Sequence, residues 1–458
     1  MNVLKDTIIA ISTPIGYGAL GIVRLSGPRS LPIAQKFYKQ KIIKEIRGCP
    51  GQLILGNLFD FEQGQRFDEA YLVFFRKPNS YTREDMVEIS CHGSPVILEE
   101  IIRLGIRAGA RHAQAGEFTL RAFVNGRLDI IQAEAVNDLI TASSLEQVKI
   151  SFHQLDGHLS RKIGSLRLQL VRLLAEIEAS IEFPEEGLKI TAQKVSRDLE
   201  AVISSVMSMV ESYSTGKSMR EGVTLAIVGK TNVGKSTLFN ALLERERAIV
   251  TPYPGTTRDY IEERLKIKNS LFMLVDMAGL GRPSHPVEEM GIKKGKRLAA
   301  RADGLLLVLD SSRRETAEDL ALVKKFRGRK TIVVFNKSDL PVKIDKKRIR
   351  RQGQEGPWVD VSALTRKNLD KLKKEIHGFF VPSPKKGEEV ILHLRQKLVL
   401  EDIAGRLDRG LELLRTGYPE DVYVEEIRRA TLLIGSLTGE IMPEDVLSDI
   451  FSRFCVGK

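Results

Sequence analysis

The amino-acid sequence predicts a multidomain α+β protein, with a doubly wound α/β domain inserted into an all-α helical domain and a separate α+β domain in front. The chain has 458 residues, enough for about two or three ordinary domains. Residues 217–378 alternate apolar runs with helical patterns, as a parallel sheet with crossover helices requires. In the flanks, 119–216 and 379–458, apolar residues recur at three- and four-residue spacing, so we expect one helical domain from both.

Each domain has its own predicted elements. In the inserted domain we expect strands at residues 223–228, 271–275, 304–309, 331–335 and 358–361. Its helices are expected to begin near Ser236, Glu289, Ala317 and Asn368. Residues 1–118 combine short β-rich pieces, predicted at 7–11, 21–25 and 70–75, with a helix from about 95 to 108.

Composition narrows the class of protein. Hydrophobic residues make up 42% and charged residues 28% of the chain, as in ordinary globular proteins. We find no basic leader and no apolar run long enough for a bilayer, so a cytoplasmic protein with no membrane contact is expected. The three cysteines form no CxxC pair, which argues against a disulfide framework or a cysteine zinc site.

The net charge of +12 leaves two interpretations open. Lysines and arginines displace counterions from phosphates, which favours nucleic acid as a partner. The alternative is a merely solvated basic surface, because net charge reports non-specific attraction and not fold. The densest basic run contains no aromatic residue and is predicted to decorate a loop: Lys346, Lys347, Arg348, Arg350 and Arg351.

A phosphate-binding loop is predicted at residues 229–236, GKTNVGKS, which follow a strand and open a helix. Glycines let backbone N–H groups wrap phosphates, and the helix N-terminus adds partial positive charge. Lys235 would then reach the β- and γ-phosphates while the Ser236 hydroxyl binds magnesium. The predicted nucleotide contacts are Asn232, Val233, Gly234, Lys235, Ser236 and Thr237.

Two motifs at later strand ends predict that the base is guanine. Asn336, Lys337 and Asp339 follow one strand, and the Asp339 carboxylate can accept two hydrogen bonds that guanine donates and adenine cannot. Ser362 and Ala363 follow the next strand and resemble the loop whose backbone N–H reads guanine O6. Together with the phosphate loop, these motifs predict GTP as the ligand.

The inserted domain thus resembles the small G proteins, in the branch of translation factors and RNA-processing GTPases. Asp276 would hold the magnesium shell at a strand end, and the Gly279 N–H would lie near the γ-phosphate. Residues 248–259, AIVTPYPGTTRD, look like switch I of that branch, with Thr257 as its magnesium ligand. The match of Asn232 and this switch to potassium-activated members implies K⁺ ligands at Asn232, Thr251, Tyr253 and Thr256, although Asn232 is alternatively a simple turn residue.

The outer domains carry further motifs: 80–93 (SYTREDMVEISCHG), 116–129 (GEFTLRAFVNGRLD), 132–135 (QAEA), 138–140 (DLI) and the end 451–458 (FSRFCVGK). Together they resemble the MnmE (TrmE) family of tRNA-modification GTPases over essentially the whole chain. The resemblance implies an N-terminal folate-binding and dimerisation domain (1–118), a helical domain (119–216 and 379–458) and an inserted G domain (217–378).

The resemblance also implies an activity and its partners. With the FAD-dependent partner MnmG (GidA), the family's homodimeric GTPase forms a 5-carboxymethylaminomethyl or aminomethyl group on the wobble uridine of certain tRNAs. The carbon comes from 5,10-methylenetetrahydrofolate, and 5-formyltetrahydrofolate is a related ligand. Carrying the folate site over by position implies Arg24, Glu88, Arg127 and Lys458, which suit the carboxylates and pterin edge of a folate.

Two further residues are candidates for chemistry. Leu280 occupies the position where many G proteins have a water-orienting glutamine, so a substitute is needed. The family motif Val-Glu-x-x-Gly-Ile selects Glu288 as the catalytic residue, and the alternative is a carboxylate that only favours the helix dipole. Cys455 is a candidate nucleophile, although free cysteines are usually inert small hydrophobes.

The sequence departs from the family pattern in switch II, where Met277 replaces threonine and Gly281 an arginine. These changes bear on the rate of hydrolysis and not on nucleotide binding. A second hypothesis for the whole chain is a regulatory GTPase switch in ribosome assembly, whose output is binding without chemistry. The folate-like first domain and the terminal Cys-Val-Gly-Lys favour the modifying enzyme.

Overall fold

The computed structural model describes residues 6–41, 45–183, 190–243, 262–268, 270–276, 302–353, 355–381 and 389–457. The strands are β1 Ile8–Ile11, β2 Gly18–Ser26, β3 Tyr38–Gln40, β4 Ile54–Phe59, β5 Arg66–Phe75, β6 Met86–Gly93, β7 Arg111–His112, β8 Val223–Val228, β9 Glu262–Ile267, β10 Ser270–Asp276, β11 Gly304–Asp310, β12 Thr331–Asn336 and β13 Trp358–Asp360.

The helices described are α1 Ser30–Phe37, α2 Pro95–Arg107, α3 Glu117–Val124, α4 Ile130–Thr141, α5 Leu145–Leu155, α6 His158–Glu182, α7 Ala192–Glu221, α8 Lys235–Leu243, α9 Ala317–Lys325, α10 Lys346–Arg350, α11 Leu369–Phe380, α12 Leu394–Arg415, α13 Glu420–Thr438 and α14 Glu444–Ser452. The predicted fold class, an α+β multidomain chain with an inserted α/β domain, is confirmed. None of the helices in the described ranges is long and apolar enough to cross a membrane.

The first domain is built on a seven-stranded sheet in the order β3-β4-β5-β6-β2-β1-β7. Its neighbours pair antiparallel except β1 and β7. Alternate residues of β4 are buried, and they join α1 and α2 in one core on one face of the sheet. The three predicted strands and the predicted helix are confirmed, whereas α1, β3, β4, β6 and β7 were not predicted.

A buried ion network ties the first domain together. The Arg121 side chain is fully buried and pairs with Asp6 at 2.6 Å, Glu117 at 2.9 Å and Glu84 at 3.2 Å. Arg111 also forms ion pairs with Asp6 and Glu117, at 2.6 Å from each. The network thus joins the chain start, α3 and the segment before β6.

The inserted domain has a six-stranded sheet in the order β13-β12-β11-β8-β10-β9. All neighbours are parallel except β9, which pairs antiparallel with β10. Two apolar cores cover its faces, so β11 and β12 are buried along their whole length. The five predicted strands and the helix starts near Ser236, Ala317 and Asn368 are confirmed. The start near Glu289 lies outside the described residues.

One prediction for this domain is wrong. The basic run after Ile344 forms helix α10 and does not decorate a loop. The Asp345 side chain caps the helix by accepting from the N–H groups of Lys347 at 2.9 Å and Arg348 at 3.2 Å. Ile349 is fully buried in the core beneath it, so a cap and one apolar anchor outweigh the charge repulsion along the run.

The two connections of the inserted domain meet on helix α7. The Ile391 N–H, after the domain, donates to Ser212 Oγ at 3.0 Å. Asp138, on α4, binds Arg220 at 3.2 Å and His393 at 2.8 Å, one residue from each connection. A domain inserted into another needs its two chain connections to lie close together, and these contacts hold them so.

The chain divides into two compact units, 1–137 with 153–195 and 412–458, and 138–152 with 196–411. In the first unit, α6 and α13 pack together and Arg428 pairs with Glu178 at 2.7 Å. The boundaries expected at 118, 216 and 378 stay a prediction.

Candidate nucleotide and carboxyl-terminal sites

The phosphate-binding loop joins the end of β8 to the start of α8. Gly234 has φ 90°, and a Cβ there would collide with the Asn336 amide. A Cβ on Gly229 would likewise collide with the Val308 carbonyl. Both positions therefore require glycine. Asn232 also has a positive φ of 62°, which asparagine tolerates better than most residues.

Lys235, predicted to contact phosphate, is the first residue of α8. Its side chain is buried, and Nζ donates to the Lys230 carbonyl at 2.5 Å, a bond within the loop. Ser236 and Thr237 follow it and are exposed at the helix start. A lysine ammonium beside the N–H groups of a helix N-terminus is the arrangement by which such loops bind anions.

Asn336 joins the three loops of the site. It is buried, its Nδ2 donates to the Val233 carbonyl at 2.9 Å, and its Oδ1 accepts from the Ala363 N–H at 3.0 Å. The sequence predicted Asn336 and Ala363 only as nucleotide contacts. The structure shows that the Asn336 amide also sets the spacing between the phosphate loop and the loop after β13.

Asp310 is a site residue that sequence reasoning missed. Its carboxylate lies 2.7 Å from Lys337 Nζ, which also donates to the Asn232 carbonyl at 2.9 Å. Burial would raise the pKa of Asp310, but hydrogen bonds from Lys337, Ser312 and Arg313 outweigh it and lower the pKa to about 2. The carboxylate is therefore charged at neutral pH and anchors Lys337. Because it ends β11, the rule that found Asp276 and Asp339 could have found it.

The base-reading loops are held by backbone bonds that leave Asp339 exposed. The Ser338 N–H donates to the Val361 carbonyl at 3.0 Å, and the buried Ser362 N–H donates to Lys367 at 3.1 Å. Both loops lie at the carboxyl edge of the sheet, where doubly wound domains bind ligands.

Several predicted residues fall outside this description. Thr251, Tyr253, Thr256, Thr257, Gly279, Glu288 and Lys458 lie outside the described residues. The Asp276 backbone ends β10, beside Ile227 of β8, and its role in the magnesium shell stays a prediction.

A second cluster of predicted residues lies in the first domain. Arg24 on β2 and Glu88 on β6 are cross-strand partners, with Arg24 Nε at 2.8 Å and a terminal nitrogen at 2.6 Å from Glu88 Oε1. Arg24 lies 5.5 Å and Arg127 4.7 Å from the centre of the Tyr81 ring. The Tyr81 hydroxyl pairs with Thr119 Oγ1 at 2.9 Å, and burial raises its pKa. Sequence reasoning missed Tyr81, which joins the two arginines.

The carboxyl-terminal tail packs beside this cluster. Val456 bridges to Ala115, and the Gly457 carbonyl accepts from Ser12 Oγ at 3.2 Å and from Arg24 at 3.5 Å. Gly457 has φ 95°, and a Cβ there would collide with the backbone at the end of β1. Cys455 is exposed on the tail.

A glycine-built phosphate loop with a buried lysine, facing two base-reading loops at the carboxyl edge of a doubly wound sheet, defines a P-loop GTP-binding protein. Comparison with known families gives the particular one. Residues 130–455 match the MnmE helical domain, and residues 7–127 match the family described as GTP-binding protein TrmE N-terminus.

Full-length relatives agree with both matches. The chain is 41% identical over 457 residues to the tRNA modification GTPase MnmE of Aquifex aeolicus, covering 99% of this chain and 100% of that one. It is 40% identical over 458 residues to the protein of the same name from Thermotoga maritima, with 99% and 100% covered. The chain therefore belongs to the MnmE family of tRNA modification GTPases, and it is a GTP hydrolase acting in tRNA modification.

Guanine specificity is expected to depend on Asp339. Asp339→Asn should weaken GTP binding roughly 10- to 100-fold, because two hydrogen bonds to a charged acceptor are lost. It should also favour xanthosine triphosphate, whose oxygen at carbon 2 can pair with the new amide. Fluorescence titration of both nucleotides measures this, with Asp370→Asn on α11 as the control loss of an exposed carboxylate. Equal binding of ATP and GTP by the unaltered protein would contradict the assignment.

Proposed function

We propose that this chain is a potassium-activated GTPase that modifies the wobble uridine, position 34, of certain tRNAs in the cytoplasm. With an FAD-dependent MnmG (GidA) partner, it forms the 5-carboxymethylaminomethyl or aminomethyl group, taking one carbon from 5,10-methylenetetrahydrofolate. The observation that carries this proposal is the Arg24–Glu88 pair beside Tyr81, Arg127 and the tail, in a chain that also has a guanine-nucleotide site.

The Arg24 cluster suits a reduced folate in charge and shape. The Nε and Nη2 atoms of Arg24 both donate to Glu88 Oε1, so Glu88 Oε2 receives no hydrogen bond from Arg24 and can accept from a pterin edge. Arg127, which is exposed, and Lys458 would hold the folate carboxylates. Arg24 and Glu88 keep 16% and 23% of their side-chain surface, which leaves the pair reachable.

Folate binding is expected to depend on Arg24 and on the tail. In calorimetry with 5-formyltetrahydrofolate, Arg24→Ala and a chain lacking its last four residues should each bind at least about tenfold more weakly, because a hydrogen-bonded charge is lost. Arg107→Ala, which removes an exposed arginine from α2, is the control and should bind normally. No heat for the unaltered protein, or undiminished binding without the tail, contradicts the site.

The cation sites are proposed at the phosphate loop. Lys337 fixes the Asn232 carbonyl and so the orientation of that exposed residue, which with Thr251, Tyr253 and Thr256 would hold K⁺. Such a cation supplies positive charge where phosphoryl transfer develops negative charge. Magnesium would be held by Ser236 and Thr257, with Asp276 in its outer shell.

Hydrolysis is expected to run faster in potassium than in sodium, because the smaller ion fits ligands spaced for the larger one poorly. The measurement is phosphate release at saturating GTP and magnesium in the two chloride salts, at equal ionic strength. Asn232→Ala should reduce the difference between the salts. Identical rates for the unaltered protein would refute potassium activation.

A homodimer through the first domain is part of the proposal. The face of its sheet opposite the α1–α2 core exposes some apolar side chains, with Leu20 70% and Tyr71 47% exposed. The β1–β2 hairpin adds Ile15 at 87% and Tyr17 at 91%. Apolar groups grouped in this way favour burial against a second copy.

The proposed modification is tested by mass spectrometry of tRNA nucleosides from cells in which this chain replaces the resident family member. Restored 5-substituted wobble uridine supports the proposal. Normal nucleosides in cells lacking the gene, together with a defect in ribosomal subunit assembly, would favour the regulatory switch instead.

A further inference from the structure

Positive charge is concentrated on two short segments of the inserted domain. Residues 324–330 and 346–351 each carry five lysines or arginines and no aspartate or glutamate. The chain as a whole has a net charge of +12, so these thirteen residues hold a large share of it. Neither segment belongs to the nucleotide site.

The fold brings the two segments together. Phe326 and Ile349 pack into the same core on one face of the sheet. A Cβ on Gly353 would lie 3.0 Å from Arg327 Nε. The Arg327 guanidinium therefore lies against the backbone at Gly353, just after α10. We call the combined surface, residues 324–330 and 346–351, the basic face.

Most cations of the basic face have no acidic partner among the residues that the structure describes. Lys346 pairs with Asp360 at 2.5 Å and Arg348 with Glu315 at 3.0 Å. No carboxylate of the described residues lies within 4.0 Å of the remaining exposed ones, which are Lys324, Lys325, Arg327, Lys330, Lys347, Arg350 and Arg351. Like charges held this close repel one another, and a bound polyanion would relieve that repulsion.

One arginine of the face is held in position. The Arg350 guanidinium lies 5.3 Å from the centre of the Trp358 ring, on the strand beside α10. Stacking on an aromatic ring pre-orients the planar donor fork that binds phosphate oxygens in pairs. The basic run has no aromatic residue in sequence, yet the fold supplies one beneath it.

Part of the basic face lies at the edge of the sheet opposite the nucleotide. Residues 324–330 run from α9 into the start of β12, and Arg350 lies on the ring of Trp358, the first residue of β13, so these positions are at the amino edge of the parallel strands. Lys346 and Arg348 lie nearer the carboxyl edge, where they pair with Asp360 at the end of β13 and with Glu315 after β11. A polyanion bound at the amino-edge part would not compete with GTP.

We propose that the basic face binds the phosphate backbone of RNA, and in particular of the tRNA substrate. This rests on the chain's role in tRNA modification. An anionic membrane is a weaker candidate, because neither segment exposes a large apolar side chain and surface binding to lipid normally buries one. An arginine whose planar guanidinium is held by stacking, as Arg350 is, suits phosphodiesters.

The test uses the full chain and an unmodified tRNA transcript. Arg350→Gln with Arg351→Gln should raise the Kd roughly tenfold and reduce the salt dependence of log K by about two, because two phosphate contacts are lost. The control, Lys371→Gln with Lys374→Gln, removes equal charge from exposed positions of α11 and should leave the Kd within about twofold. GTP turnover without tRNA should be unchanged in both, which shows that both fold.

Three outcomes overturn the proposal: no loss of tRNA binding, an equal loss in both pairs, or lost binding to phosphatidylglycerol vesicles with unchanged tRNA affinity. The nucleoside assay on the unaltered chain is independent of this result. A failed basic face therefore leaves the modifying activity standing, and the two failures are distinguishable.

Discussion

Glu288→Ala is expected to cut GTP turnover by about two orders of magnitude or more, while GTP affinity stays nearly unchanged. Hydrolysis needs a group that orients the attacking water, and the apolar Leu280 cannot provide it. Glu288 lies outside the described residues, so its role is inferred from the motif Val-Glu-x-x-Gly-Ile. Single-turnover phosphate release and a fluorescent-nucleotide titration separate rate from affinity.

The neighbouring Glu289 provides a matched control. If the two glutamates only favour the helix dipole, each contributes about 0.3–1 kcal/mol to local stability and neither affects the chemical step. We expect Glu289→Ala to hydrolyse GTP within a few-fold of the unaltered protein. Equal and small effects at both positions would return Glu288 to the dipole role and leave the water-orienting residue unidentified.

Arg121→Met should lower the free energy of unfolding of the first domain by about 3–5 kcal/mol, since the buried Glu117 and the mostly buried Glu84 lose the fully buried cation that they share. Asp6, Glu84 and Glu117 all lose their shared partner. Hydrogen exchange of β1 and β2 is the measurement. Arg111→Met is the control, because that arginine is 38% exposed and its loss should cost less. Equal protection in Arg121→Met and the unaltered chain would contradict the expected role of the network.

The ion network around Arg121 also predicts that the stability of the first domain falls at acidic pH. Burial alone would raise the pKa of Glu117, but hydrogen bonds from Arg111, Gln114 and Arg121 lower it below the ordinary value of 4.5. A carboxyl group whose folded pKa is depressed stabilises the fold above its unfolded pKa. That stability is lost as pH falls through the folded value, below 4.5. In Arg121→Met, the decrease in the free energy of unfolding on acidification should be smaller than in the unaltered protein.

The sequence predicted the inserted domain better than the first domain, for a physical reason. Strands β11 and β12 are buried on both faces and appear as unbroken apolar runs. Strand β4 alternates and carries Gly56, where a Cβ would collide with the Tyr38 ring, so its pattern is weak. The edge strand β9 buries only alternate residues and was also missed.

The sequence likewise predicted the site residues of the inserted domain better than those of the first domain. The phosphate loop is contiguous in sequence and could be predicted from spacing alone. Arg24 and Glu88 are 64 residues apart, and only the family resemblance connected them before the sheet register did. Tyr81 was missed because its role comes from contacts with distant arginines, which no local pattern records. Asp310 was missed although it ends a strand, because its partner Lys337 lies 27 residues away in the sequence.

Trp358 is the chain's single tryptophan, and Arg350 covers its ring. Its indole is half-buried at the first residue of β13, at the opposite end of that strand from the loop with Ser362 and Ala363. When the intact protein is excited at wavelengths that tryptophan absorbs and tyrosine does not, its fluorescence therefore comes from Trp358 alone. A polyanion that moves the Arg350 guanidinium away from the ring would change the intensity or the wavelength of that emission. The protein thus carries a built-in optical probe of the basic face, which allows titrations without an attached dye.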